Sequence, residues 1–121
     1  EPIQLIRQFQ NRQNIIRTMP PSKEKPCVLK APVSVGKGKK TVLNLSAGRY
    51  PEGDWQLIVR AAGQEVFRSM VDANTAKEGW LDKEVDLSRF AGQDIIVEVL
   101  NEATGWNYEH AFWQRLEIVE E

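Results

Sequence analysis

The sequence predicts an all-β fold, a two-sheet antiparallel sandwich of about seven or eight strands with an amphipathic helix ahead of it. Three observations carry that prediction. From residue 27 onward, short runs rich in β-branched and aromatic residues recur, each closed by Gly, Pro, Asn or Asp. Within the runs apolar and polar residues alternate with period two, the pattern of a strand that buries one face. No helical pattern separates the runs, so the crossover helices of parallel βαβ units are missing and the strands must pair antiparallel in a sandwich or a barrel.

Taken in order, residues 3–19 (IQLIRQFQNRQNIIRTM) place Leu5, Phe9, Ile16 and Met19 on one helical stripe flanked by Ile6 and Ile15. Pro2 suits the first turn of such a helix and Pro20-Pro21 ends it, since proline donates no amide hydrogen. PPSKEKP then reads as an extended linker, so residues 1–26 form an N-terminal helix and linker, and 27–121 the sandwich domain. Its strands are CVLKAPVSV, KTVLNLS, WQLIVRA, EVFRSMV, WLDKEVDL, DIIVEVLN and AFWQRLEIV. Trp55, Leu57, Val59 and Ala61 alternate with Gln56, Ile58 and Arg60, and Ile95, Val97 and Val99 with Ile96, Glu98 and Leu100. Trp55, Trp80, Trp113 and Phe112 are expected mainly in the core, with Trp80 showing an edge.

If consecutive strands run antiparallel, their connections fall at alternate ends of the sandwich. One end receives short turns around 36–39, 62–64 and 88–93. The other receives 47–54 (AGRYPEGD), 72–79 (DANTAKEG) and 102–110 (EATGWNYEH), which are longer and carry aromatic, amide and charged side chains. Loops on a rigid scaffold are where binding residues concentrate. The predicted ligand-binding set is therefore Trp106, Asn107 and Tyr108, with Asn74, Arg49 and Tyr50 from the adjoining loops. A ring face stacks on the C–H face of a sugar, while amides and the guanidinium pair with its hydroxyls. His110, the single histidine, has no partner of evident catalytic geometry and reads as a hydrogen-bonded structural residue.

The stretch from Trp80 to Val99, WLDKEVDLSRFAGQDIIVEV, with Trp113, Leu116 and Ile118 closing the pattern, resembles the galactose-binding-like jelly-roll modules. The resemblance implies a jelly-roll sandwich, a non-catalytic carbohydrate-binding role as an accessory module of a larger secreted or periplasmic protein, and a structural calcium. The DLSRFAGQD core of that motif also has a purely structural reading. Asp86 or Ser88 caps a single helical turn, Phe90 plugs the end of the core and Gly92 takes the positive φ that redirects the chain.

Composition bounds the alternatives. The 121 residues suit one domain, and 41% hydrophobic with 27% charged residues is ordinary globular usage. No apolar run approaches the length of a membrane span. The chain starts at Glu1-Pro2 without initiator methionine or signal-type stretch, which predicts a mature product or a piece of a larger protein. The single Cys27 forms no internal disulfide and lacks a nucleophile motif, so catalysis is not expected. Residues 1–40 hold nine Lys/Arg against two acids and residues 41–121 seven against fifteen, so the two parts attract. The basic residues lack interleaved aromatics, which argues against nucleic acid as the partner. The alternative to a glycan partner is a protein-interaction or spacer domain that docks through its N-terminal helix on a neighbouring domain.

Overall fold

Where the periodicity of residues 3–19 predicts a helix, the computed structural model, which describes residues 3–121, has a β-hairpin of β1 (Ile3–Phe9) and β2 (Arg12–Thr18). Its two-residue turn puts Gln10 at φ 48° and Asn11 at φ 68°. Positive φ at both central positions marks the turn family whose twist matches paired strands, and Asn tolerates it better than most residues. The apolar stripe is real, but Ile3, Ile6, Ile15, Ile16 and Thr18 are β-branched and the QN turn folds the segment on itself. The helix expectation is corrected accordingly, and docking through a helix goes with it. Pro2, expected in its first turn, lies outside the described residues.

The seven runs from residue 27 are all strands: β3 (Cys27–Ser34), β4 (Thr41–Gly48), β5 (Trp55–Ala61), β6 (Gln64–Val71), β7 (Trp80–Asp86), β8 (Asp94–Glu102) and β9 (Ala111–Glu120). They form two antiparallel sheets, β1-β2-β9-β4-β7 and β3-β8-β5-β6. The hairpin is thus part of the first sheet: β2 joins β9 through Ile16–Trp113, Arg17–Phe112 and Thr18–Ala111. One continuous core fills the space between sheets, with Leu43, Leu45, Ala47, Val85 and Trp113 from one and Trp55, Leu57, Val59, Val97 and Val99 from the other. Trp55 and Trp113 meet edge to face at 5.2 Å, a geometry aromatic pairs prefer.

Phe112 is fully buried, but outside that core. It points to the outer face of the first sheet, where Phe9 stacks on it at 3.7 Å and Tyr50 meets it edge-on at 4.9 Å. Asn14, at φ 60°, bends β2 so that the hairpin tip crosses this face. There Arg12 grips Asp82 with both terminal nitrogens, at 2.8 and 3.0 Å, and lies over the Trp80 ring at 4.8 Å. The Trp80 indole, half-buried, donates to the carbonyl of Gln10 at 3.0 Å.

The DLSRFAGQD segment takes its expected turn, although the residue at the turn's N-cap is Leu87 and no side chain caps it. A single 3-10 turn spans Ser88–Phe90, and Asp86 accepts the amide of Ser88 at 2.8 Å. Phe90 is buried, and Gly92 sits at φ 81° while its amide bonds the carbonyl of Val35 at 2.8 Å.

Candidate functional site

Antiparallel alternation brings the three long connections to one end. The clasp is Arg49, whose Nε and Nη2 donate to the carbonyl of Ala76 at 3.2 and 3.0 Å, while Nη1 donates to Tyr50 and Pro51 carbonyls at 3.3 and 2.8 Å. Its own amide bonds the carbonyl of Gly79 at 3.2 Å, tying loop 49–54 to loop 72–79. Loop 103–110 lies against the same loop: Tyr50 meets Tyr108 at 5.6 Å and His110 at 5.2 Å, both edge-on. Gly53 faces the backbone of Tyr108 so closely that a Cβ there would overlap the Tyr108 carbonyl, which explains a residue without a side chain at this crossing.

Loop 103–110 is braced from within. The buried Glu109 carboxylate accepts from the amide of Thr104 at 2.7 Å and from its hydroxyl at 3.2 Å, and Asp54 also accepts from that hydroxyl at 2.6 Å. At the loop root a buried relay runs through the sandwich end. The Trp113 indole donates to Thr18 Oγ1 at 3.0 Å, Thr18 donates to Asn101 Oδ1 at 2.9 Å, and Asn101 Nδ2 donates to the carbonyl of Glu109 at 3.1 Å. β2, β8 and β9 are joined there without a buried charge.

On this footing Trp106 is 46% and Tyr108 49% exposed. They border a cleft of about 210 Å³ with Met19, Glu109 and His110. His110 does not match the hydrogen-bonded residue that the sequence predicts. Its Nδ1 is buried without a partner, and its pKa is held below the usual histidine range by burial and, secondly, by the positive charge of Arg17. The ring is therefore neutral at pH 7. Arg17 also donates to the Tyr50 hydroxyl at 3.0 Å and to the Gln4 side chain.

The six residues singled out from the sequence take different places. Trp106 and Tyr108 flank the cleft and Asn107 is exposed between them. Tyr50 stands behind Tyr108. Arg49 is only 6% exposed and directs its donors at carbonyls, so it holds the loops and offers little to a ligand. Asn74 is exposed on loop 72–79, outside the cleft lining, within a turn organised by Asp72, whose Oδ1 accepts the amides of Asn74 and Thr75 at 2.9 and 3.0 Å. Those amides hold the Asp72 carboxyl below its ordinary range. Glu109 and His110 line the cleft from the same loop as Trp106 and Tyr108, though not among the six, whereas Met19 comes from outside the three loops. Met19 arrives there because the hairpin is a hairpin, which a helical reading of residues 3–19 conceals.

Among the described residues no three His, Cys, Asp or Glu side chains gather as a set able to hold a metal. The Cys27 thiol is pushed up by burial, the reverse of what a thiolate nucleophile needs.

Fold and site together define an all-β two-sheet sandwich with an aromatic cleft among the loops at one end. Solved structures share the fold. A cyclase from Fischerella sp. TAU aligns with 100% of this chain and 69% of its own, at a TM-score of 0.64 and 9% identity. An apo-form cyclase from Fischerella sp. aligns with 93% of this chain and 66% of its own, at 0.60 and 10%. The insecticidal delta-endotoxin Cry8Ea1 from Bacillus thuringiensis aligns with 80% of this chain and 20% of its own, at 0.51 and 10%. The chain thus spans 69% and 66% of the two cyclases and a fifth of the toxin. At these identities the likeness is one of fold. No family model and no curated protein matches the chain.

Proposed function

We propose that this is a non-catalytic carbohydrate-binding module of the galactose-binding-like jelly-roll kind, an accessory part of a larger secreted or periplasmic protein. The strand connectivity supports the jelly-roll part of the reading. From β2 to β9 the chain crosses between sheets at every connection except the β5–β6 hairpin, giving β2-β9-β4-β7 over β3-β8-β5-β6.

One observation carries the sugar-binding part: two half-exposed aromatic rings, Trp106 and Tyr108, flank a cleft on a loop whose root is pinned by buried hydrogen bonds. An aromatic face held rigid stacks on a pyranose at small entropic cost. Asn107, and Asn74 from the adjoining loop, supply polar partners for hydroxyls. Tyr50 sets the Tyr108 ring, and Arg49 acts by clasping the loops. The raised Cys27 thiol, and a His110 that burial holds below the ordinary histidine range with its Nδ1 unpaired, favour binding over catalysis.

Isothermal titration and tryptophan fluorescence against a glycan panel test this. At least one glycan binds with a dissociation constant below about 1 mM, and Trp106→Ala weakens it by about tenfold, the worth of one stacked ring. No binding at millimolar glycan, or a Trp106→Ala protein that binds as well as wild type, overturns the reading.

A further inference from the structure

A second concavity lies along the open side of the sandwich. β3 is an edge of its sheet, and β2 leaves β9 after Trp113, turned away at Asn14. Between β3 and the free flank of β9 an apolar groove of about 290 Å³ opens towards the core, its border including Ile16, Leu29, Val33, Leu43, Leu116 and Ile118. Leu116 and Ile118 pair with the core residues Leu45 and Leu43 and share their inward face, yet are 38% and 39% exposed. Apolar walls from both sheets, open to solvent on this scale, are the usual form of a small-molecule site.

The lining restricts what fills it. Among the described residues that border the groove only Lys30 is polar, so a peptide laid inside would bury amides that no side chain pairs. Along β3 the groove runs from Leu29 to Val33, about 13 Å of extended strand. Volume over length leaves a cross-section of about 22 Å², room for one unbranched alkyl chain. A methylene takes about the room of a liquid water, about 30 Å³, so the volume holds about ten carbons. Charge then sets the orientation. Lys30 is exposed and forms no salt bridge among the described residues, and Glu98 across the ladder lies between Lys30 and Arg60, one acid to two cations. At the far end Glu120 continues the inward row of Leu116 and Ile118, with its carboxylate against Gly36. That carboxylate repels a second anion, whereas Lys30 attracts one.

We propose that this groove binds a free medium-chain fatty acid, with an unbranched tail of about ten carbons lying between β3 and β9 and its carboxylate on the Lys30 ammonium. The tail runs from Lys30 towards Val33 and Ile118. A lysine on an edge strand lays its methylenes along the apolar wall and keeps its charge at the rim, where a carboxylate head meets it. The chain covers the part of the core that β2, bent at Asn14, leaves open. The site is separate from the aromatic cleft and does not depend on what binds there.

NMR titration of the full chain with sodium octanoate, decanoate and dodecanoate, each below micelle formation, tests the proposal. Decanoate binds with a dissociation constant below about 1 mM and shifts the methyl signals of Leu29, Val33, Leu116 and Ile118. Octanoate binds about fourfold more weakly, about twofold per methylene because an open groove covers one side of the chain, and dodecanoate gains less than that over decanoate. Lys30→Glu weakens octanoate by at least about threefold and leaves 1-octanol, which has no charged head, unchanged. Lys37→Glu, at the far end of the groove, alters neither. Leu116→Glu sets a carboxylate in the groove and abolishes the shifts, and an unchanged melting curve confirms that each variant folds. Groove methyls that do not shift at about 5 mM decanoate, or a Lys30→Glu protein that treats octanoate and 1-octanol alike, overturn the proposal. So does a wild type that self-associates through the same methyls with no acid present, because a second copy then fills the groove.

Discussion

Thr18 fills one of the few buried polar positions, and its hydroxyl is used twice, accepting from the Trp113 indole and donating to Asn101. Thr18→Val keeps the shape and removes both roles, leaving an indole N–H and an amide oxygen unpaired. The expected loss is about 1–3 kcal/mol, read as a lower urea midpoint at unchanged m-value. His110 gives a pH test. Its folded pKa lies below the free value of 6.5, so above that pH the ring is neutral in both states. Below it the unfolded chain takes up a proton that the folded chain refuses, and stability falls until the folded ring itself protonates. Between about pH 7.5 and 5.5 wild type therefore loses more stability than His110→Gln, measured as the change in melting temperature. Arg49 illustrates what single residues hide. An arginine in a loop between strands reads equally as a ligand contact or a carbonyl clasp, and only the position of the Ala76 and Pro51 carbonyls decides it.

At the scale of elements, the hairpin is attached by aromatic stacking as much as by its three pairs with β9. Phe9 contacts Phe112, Tyr50 and Trp80. Phe9→Ala should lose about 2–4 kcal/mol and expose Phe112, detected by urea denaturation and by faster hydrogen exchange through β1 and β2. The hairpin is also where sequence patterning misleads. Leu5, Phe9, Ile16 and Met19 satisfy a 3.6 period, and only the β-branched content and the Asn11 turn favour strands, a fainter signal than Asn-Gly would be. From residue 27 the period-two alternation shows in strands such as β8, where Ile95, Val97 and Val99 are buried and Ile96 is exposed, whereas β4 is buried almost throughout. The seven runs and the core positions Trp55, Leu57 and Val97 are legible for that reason. Phe112 is legible as buried but not as outward-facing, because its cover comes from the misread hairpin.

For the molecule as a whole, strand parity was sufficient to bring loops 49–54, 72–79 and 103–110 to one end. The cleft lining is less legible, since Met19 reaches it from the hairpin, far away in sequence. The charge division between the first 40 residues and the remainder is partly spent inside the chain. The forked Arg12–Asp82 pair holds the Asp82 carboxyl below its ordinary range and raises the Arg12 guanidinium, and Lys40 reaches Glu121 at 3.9 Å. Such pairs contribute modestly where solvent reaches them.

The backbone angle of Asn14, φ 60°, acts well beyond its own position. A strand running straight through this position would continue zipping along its neighbour as far as Glu117. By adopting a left-handed φ of 60°, one asparagine ends the β2–β9 ladder at Trp113 and frees the hairpin tip to lie across the sheet, where it covers Phe112 instead of lengthening the ladder.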